Sequence, residues 1–509
     1  MSYRLRAVAV VVALGAFAFL VATWIARPFV GGDTPFVLDG TNAFLNCISA
    51  HDYNGCGYTG KLNYWGLMSP IGWWPLLQHV PDMITIGLGG DGHPARTRVL
   101  ASLSVAGVVS SVGLGALVLR RYARTEWFWA FLAIALTGPI LAFARQTAGE
   151  MLAMGLLVAF VAATLLGANP VVVGVTALLA CWTKETSYPF IAALGLLCLV
   201  LWRRRTGRPI RTHVLAGAAG MAVGITAASW FNVVRFGSIV NVNYLDHHLR
   251  TPGIWRKAEL TFAVFLSPSG GLLFFWPAAV TLVAVACWLG WKRDRLVAAV
   301  LLAATVVLAV GFASWWTPFG WSGYGPRLQL PWVLPFVLIV LVAYGRDLEP
   351  LARKVVVSRV GLAAVFAVAL VCALPHIGYN WDTNSLSGYF NQEQPLCNAP
   401  WRSSDWYDCQ DRLLWQDRPM GTYTLSGLGT AGGIATLVMV ALGLGASLLL
   451  LRDGLMRRAA ASASHAQPPT AETGADGRGS STTSARRRRA GASSGSALGG
   501  SGRPSPLLP

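Results

Sequence analysis

Apolar residues in this chain come in blocks of roughly 18 to 22, separated by charged or glycine- and proline-rich stretches. That pattern leaves few folds open. A helix needs about 20 apolar residues to cross a hydrocarbon core about 30 Å thick. Strands of a membrane barrel would instead show short segments of alternating polarity, and the chain has none of that kind. Only 12% of its 509 residues are charged, against about 25% in a soluble domain. That is too few to solvate a surface of this size. The sequence predicts an all-α polytopic membrane protein of about twelve transmembrane helices. The expected spans are 6–25, 97–119, 127–143, 151–166, 171–182, 188–202, 214–230, 272–291, 296–315, 328–344, 361–375 and 428–451. The first follows Arg4 and Arg6 as a signal peptide would. It is longer than a usual apolar targeting core and no A-x-A site follows, so it reads as a retained helix.

Charge gives these spans a direction. With the N-terminus inside, every connector on the inner side is basic: Arg120, Arg121 and Arg124; Arg203, Arg204 and Arg205 on to Arg211; Lys292, Arg293 and Arg295; and the stretch 346–359. Two long connectors on the other side are acidic. The first, 27–95, carries Arg27 and Lys61 against five aspartates; the last, 377–426, carries three arginines against five aspartates and one glutamate. The expected protein is thus a multi-pass plasma-membrane protein with both termini in the cytoplasm, its transmembrane part spanning 1–455. The segment 456–509 is poor in large apolar side chains and rich in Ala, Ser, Gly and Arg. It cannot bury enough surface to fold and is expected to be a disordered basic cytoplasmic tail. Its arginines suit anionic lipid head groups.

The net charge of +18 invites a nucleic-acid reading. The basic residues sit in short clusters beside apolar blocks, as membrane orientation requires, and that excludes it. Cysteine placement agrees with the topology. Cys47 and Cys56 lie in the first outer loop, and Cys397 and Cys409 in the last, two pairs placed to form disulfides on the oxidising side. Cys181, Cys198, Cys287 and Cys372 fall in or beside the spans and read as small apolar residues.

The unusual polar residues at membrane boundaries all fall on the outer side. Asp33 and Asp39 lie early in the first outer loop. A carboxylate held there can take a proton from a sugar hydroxyl, although Asp39 also fits a helix N-cap. Arg145 follows the third span, with Glu150 opening the fourth. Lys184 and Glu185 follow the fifth, where they could simply pair with each other. Arg235 follows the seventh and Arg327 the ninth. These cations are exceptions to the inner bias and suit a phosphate at the interface, Arg by bidentate contact and Lys as a point charge. The stretch 314–324 interleaves Trp315, Trp316 and Trp321 with Gly and Pro and ends in Tyr324. It fits an interfacial aromatic belt or a loop shaped to stack on a sugar. His247 and His248 could bind a metal, donate a proton or remain ordinary loop residues. No Walker loop, HExxH, G-x-S-x-G or paired CxxC is present.

Taken in order, these segments resemble the GT-C superfamily of membrane glycosyltransferases. The likeness rests on the acidic first outer loop and on Trp74–Pro75–Leu76–Leu77–Gln78–His79–Val80–Pro81, similar to a P-x-L-Q-x-x-P stretch. It rests also on Arg235–Phe236–Gly237 with Ser267–Pro268–Ser269–Gly270–Gly271–Leu272, and on Tyr324–Gly325–Pro326–Arg327, similar to a G-P-R segment. It spans about 33–335. The resemblance implies transfer of a sugar from a polyprenyl-phosphate donor to an acceptor outside the cytoplasm, a cell-envelope glycan, glycolipid or protein. Asp39 or Asp33 would be the base, and Lys184, Arg235, Arg327 and Arg145 the donor-phosphate contacts. Glu185, Tyr324, Trp316 and His247 would lie along the substrate. The loop reads Leu38–Asp39–Gly40 rather than an adjacent acidic pair, which leaves the choice of base open. No metal-ligand set is evident, and the resemblance allows a divalent metal without requiring one. The competing readings are a flippase or transporter of lipid-linked sugars, which would need a polar path through helix interiors, and a non-catalytic scaffold.

Overall fold

A computed structural model describes residues 34–59, 69–72, 75–122, 124–144, 149–206, 210–245, 250–251, 253–315, 319, 326–377, 404–416 and 431–466. The first expected span lies outside them, as do Asp33, Arg145, His247, Trp316, Tyr324, Cys397 and the side chain of Cys409. The chain divides into two units, Met1–Ala460 and Ala461–Pro509, and the described residues fall almost wholly in the first.

The expected spans among the described residues are helical, and further helices lie in the connectors between them. They are α1 (Thr34–Ser49) and α2 (Leu76–Gly87) in the first long loop, then α3 (His93–Arg121), α4 (Trp127–Leu136), α5 (Ile140–Phe143), α6 (Gly149–Leu166), α7 (Pro170–Thr183), α8 (Ser187–Thr206) and α9 (Arg211–Phe236). After these come α10 (Val242–Leu245), α11 (Ile254–Leu266), α12 (Leu272–Phe275), α13 (Pro277–Arg293), α14 (Arg295–Ala313), α15 (Leu330–Val356), α16 (Arg359–Ile377), α17 (Ser404–Asp411) and α18 (Ala431–Ala466). Seven are long and apolar enough to cross a membrane by length and composition. Three shorter apolar helices, Trp127–Leu136, Pro170–Thr183 and Ser187–Arg203, accompany them. The apolar stretch of α15 is almost wholly buried, and its Trp332, Phe336, Leu338 and Leu341 sit in the main core with residues of α4, α6, α8 and α14.

Two expected spans are interrupted. The third stops at Leu136 and resumes at Ile140, because Pro139 lacks the N–H that would continue the ladder. The Ile134 carbonyl at the break accepts the indole N–H of Trp276 at 2.8 Å. Gly138 makes this approach available: a Cβ there would lie 2.3 Å from the Trp276 ring. The eighth span breaks at the same Trp276, where the backbone leaves helical geometry before Pro277 restarts it as α13.

Glycines set the closest helix crossings, as small residues do where helices meet without a hydrophobic driving force. A Cβ on Gly107 of α3 would lie 2.1 Å from the Met151 carbonyl of α6. One on Gly220 of α9 would lie 2.0 Å from the Gly174 carbonyl of α7, and Gly224 meets Leu178 and Cys181 one turn on. These contacts pair α3 with α6 and α7 with α9.

Ion pairs then sort the helix ends into two groups. Glu150, Lys184, Glu185, Arg235 and Arg327 join one another at one end. At the other, Glu126 pairs with Arg458 at 2.7 Å, Arg458 reaches Glu349 at 3.6 Å, and Arg293 pairs with Asp347. Burial raises the Glu126 carboxyl above its ordinary range, against the lowering effect of Arg458. This is the grouping that alternating helix direction demands.

Gly220→Val should therefore force α7 and α9 apart and cost about 1–3 kcal/mol or more. Gly113→Val, at a glycine where an added Cβ would meet nothing within 4 Å, should leave the thermal midpoint in detergent unchanged. Equal midpoints for the two variants would refute the crossing.

Candidate functional site

Residues of the site come from helix ends whose backbone geometry places them. α7 ends at Thr183, and Lys184 follows in extended conformation (φ −167°, ψ 136°). Consecutive side chains on extended backbone point to opposite sides, so Lys184 and Glu185 diverge. Lys184 Nζ lies 2.6 Å from Glu150 Oε1, and Glu185 Oε1 lies 2.6 Å from Arg235 Nη2. The pairing of Lys184 with Glu185 expected as one alternative is replaced by two longer-range pairs. The Thr183 carbonyl, orphaned by the helix end, accepts Gln78 Nε2 at 3.0 Å. Gln78 reaches it across Gly149, where a Cβ would come within 2.3 Å of the same nitrogen.

Glu150 stands in the first turn of α6, at the positive end of its helix dipole. Its Oε1 also accepts Arg327 Nε at 2.9 Å. One carboxylate thus gathers a lysine and an arginine from two other segments, and its side chain is 1% exposed. Arg235, in the last turn of α9, is matched to the negative end of that helix. Its guanidinium bonds Asn232 Oδ1 at 2.6 and 3.0 Å and stacks against Phe231 and Phe236 at 4.9 and 4.8 Å. Asn241 adds a bond to Glu185 at 3.2 Å. Three cations meet two carboxylates here, leaving a net positive charge before any ligand. The second oxygens of Glu150 and Glu185 are buried and take no hydrogen bond from the described residues.

The first long loop folds onto this end. α1 buries Val37, Leu38, Thr41, Phe44 and Cys47, and turns Asp39, Asn42 and Asn46 outward on one polar face. A buried pair from Asp82 to Arg96, at 2.6 Å, ties α2 to the start of α3, and Arg96 Nη2 also donates to the Leu38 carbonyl at 2.8 Å. That bond fixes the backbone next to Asp39. His79 of α2 reaches both α1 and α9: its Nδ1 is 3.0 Å from Thr41 Oγ1, and its ring is 5.8 Å from Phe231. A Cβ on Gly40 would strike the Ile71 carbonyl at 2.5 Å, so α1 packs here at backbone distance. Cys47 and Cys56 are joined by a disulfide with Cα atoms 6.0 Å apart.

Loop residues outside the first loop also fold. Arg256 of α11 pairs with Glu259 and with Asp411 of α17, and the Ser267 hydroxyl donates to the Leu414 carbonyl at 2.7 Å. Burial raises the Asp411 carboxyl, with Arg256 opposing. Residues 404–416 of the last long loop are therefore packed on the segment before α12.

Of the residues expected from sequence, Lys184, Glu185, Arg235 and Arg327 come together, and Asp39 stands exposed on the packed loop. Glu150, Asn232, Asn241, Gln78 and Arg96 were missed as site residues. The signal available for Glu150 was its place as the first carboxylate after the third span, facing the same end as the cations. Among the described residues, no group of three or more His, Cys, Asp or Glu side chains is arranged to hold a metal ion.

No family model matches the chain, and no curated protein does. Among solved structures, it is similar to ArnT from Cupriavidus metallidurans bound to undecaprenyl phosphate, with 18% identity and a TM-score of 0.48 over 91% of this chain and 81% of that one. The apo state of the same ArnT gives 19% identity and a TM-score of 0.47 over 91% and 80%. Neither likeness assigns a residue or an activity to this chain.

Removing the shared carboxylate should expose the cost of the cluster. Glu150→Ala removes the buried carboxylate shared by Lys184 and Arg327, which costs about 3–5 kcal/mol, whereas Glu259→Ala, which leaves Arg256 its pair with Asp411, should cost under about 1 kcal/mol. Thermal unfolding in detergent checks the contrast, and equal shifts would show that Glu150 carries no such burden.

Proposed function

We propose that the chain is an integral membrane glycosyltransferase of the GT-C type, transferring a sugar from a polyprenyl-phosphate donor to an acceptor on the outer face. The observation that carries this reading is the convergence of Lys184, Arg235 and Arg327, from three separate segments, at the end of the bundle covered by the loop helix that bears Asp39. On this reading that end faces outward and both termini lie in the cytoplasm, in keeping with the charge asymmetry of the connectors.

The chemistry follows from the charges. The donor's phosphate lies against the three cations, and its prenyl chain lies in the membrane. Asp39 takes the proton of the acceptor hydroxyl. The freed oxygen attacks the anomeric carbon, the bond from that carbon to the phosphate oxygen breaks, and polyprenyl phosphate leaves with its extra charge held by Lys184, Arg235 and Arg327. Glu150 and Glu185 orient these cations and limit their net charge, so that the phosphate can both arrive and depart. On this reading the Cys47–Cys56 disulfide belongs to the same outward face.

Asp39→Asn should lower transfer from a labelled lipid-linked sugar in membranes by about a hundred-fold or more. Undiminished transfer would remove Asp39 as base. Arg327→Gln should weaken use of the donor by about 1.5–3 kcal/mol, the worth of a hydrogen bond to a charged group. Transport of a lipid-linked sugar in vesicles by a chain that catalyses no transfer would replace the whole reading with that of a flippase.

A further inference from the structure

We propose that the Cys47–Cys56 loop is a positioning clamp for Arg235. This deepens the reading of Arg235 as a phosphate contact and rests on it. The disulfide joins the end of α1 to a loop that meets the last turn of α9 through backbone. Gly55 N–H donates to the Val233 carbonyl and Cys56 N–H to the Val234 carbonyl, each at 2.9 Å. The Val233 carbonyl also takes the capping Gly237 N–H at 2.8 Å, and the Val234 carbonyl lies in the last turn, where the ladder supplies too few donors. The two backbones approach so closely that a Cβ on Gly55 would lie 3.2 Å from the Gly237 nitrogen, and one on Gly237 would lie 3.3 Å from Asn54 Oδ1. Both glycines have left-handed φ, 70° and 65°, a conformation that costs glycine nothing.

The segments that the bridge joins, α1 on one side and the residues just past Cys56 on the other, brace the two rings that hold the guanidinium. Phe44, one turn before Cys47, stands edge-on to Phe231 at 5.1 Å; Tyr58, just past Cys56, stands edge-on to Phe236 at 6.0 Å. Arg235 lies against both rings. Between the cysteines the chain is mostly exposed and has no core of its own. Its hold on α9 therefore depends on the covalent link back to α1. The bridge thus holds together two segments that support the rings on both sides of Arg235.

The test uses the full-length protein in lipid nanodiscs, with polyprenyl monophosphate as probe. A dithiol splits the bridge in the folded protein, supplying two electrons and two protons to leave two thiols and closing itself into a cyclic disulfide. The paired variant Cys47→Ser with Cys56→Ser isolates this bridge from any other. Reduction and the variant should each weaken probe binding roughly five-fold, speed amide exchange in residues 231–238 and leave exchange in α6 unchanged. Reoxidation of the wild type should restore binding. Unchanged affinity on reduction, or unchanged exchange in residues 231–238, overturns the clamp while the donor reading stands. Exchange that rises equally in α6 also overturns it, as general destabilisation. Failure of the oxidised wild type to bind the probe at all overturns the donor reading and this inference with it.

Discussion

A charge removed from water inside a helical bundle must be met by an opposite charge, and in this protein that requirement fixes which helix ends come together. Glu150 is the centre of the arrangement: its one oxygen takes Lys184 from the end of α7 and Arg327 from the start of the segment leading into α15. Glu185 does the same for Arg235 at the end of α9. None of the three helices could be shifted along its neighbour by a turn, about 5.4 Å, without stranding a buried ion. Helix packing and the polar end are thus two aspects of one constraint, with glycine crossings setting the separation of the helices and ion pairs setting their register.

The loops add to this rather than merely connecting spans. α1 and α2 have a buried apolar side and a polar side, and their polar contacts reach the bundle at the helix ends: Gln78 to the Thr183 carbonyl, Asp82 to Arg96, and Arg96 to the Leu38 carbonyl. Each satisfies a group that would otherwise be buried unpaired. The carboxylate of Asp39 is left on the outward polar face beside Asn42 and Asn46, on a helix whose other side is firmly seated.

The spans were legible because length and apolarity alone dictate them, and every expected span within the described residues is helical. The grouping of helix ends was legible from connector charge. The breaks at Gly138–Pro139 and at Trp276–Pro277 were written in the sequence as prolines, yet the apolar runs pass through them, and only the Trp276 bond to the Ile134 carbonyl shows how the interruption is tolerated. The cations of the site were visible as exceptions to the inner bias, but their partners were not. Sequence adjacency suggested Lys184 with Glu185. The extended backbone at Lys184 turns the two apart, and no local pattern announces that Glu150 lies opposite.

The crossing of α7 and α9 has a consequence for selectivity. Gly174 and Gly220 bring main chain against main chain, leaving no flexible side chain between the two helices to take up slack. On the proposed function, the spacing between Lys184 and Arg235 is gauged by the peptide framework itself, and an anion held by both would be sized against a rigid calliper rather than a pair of adjustable arms.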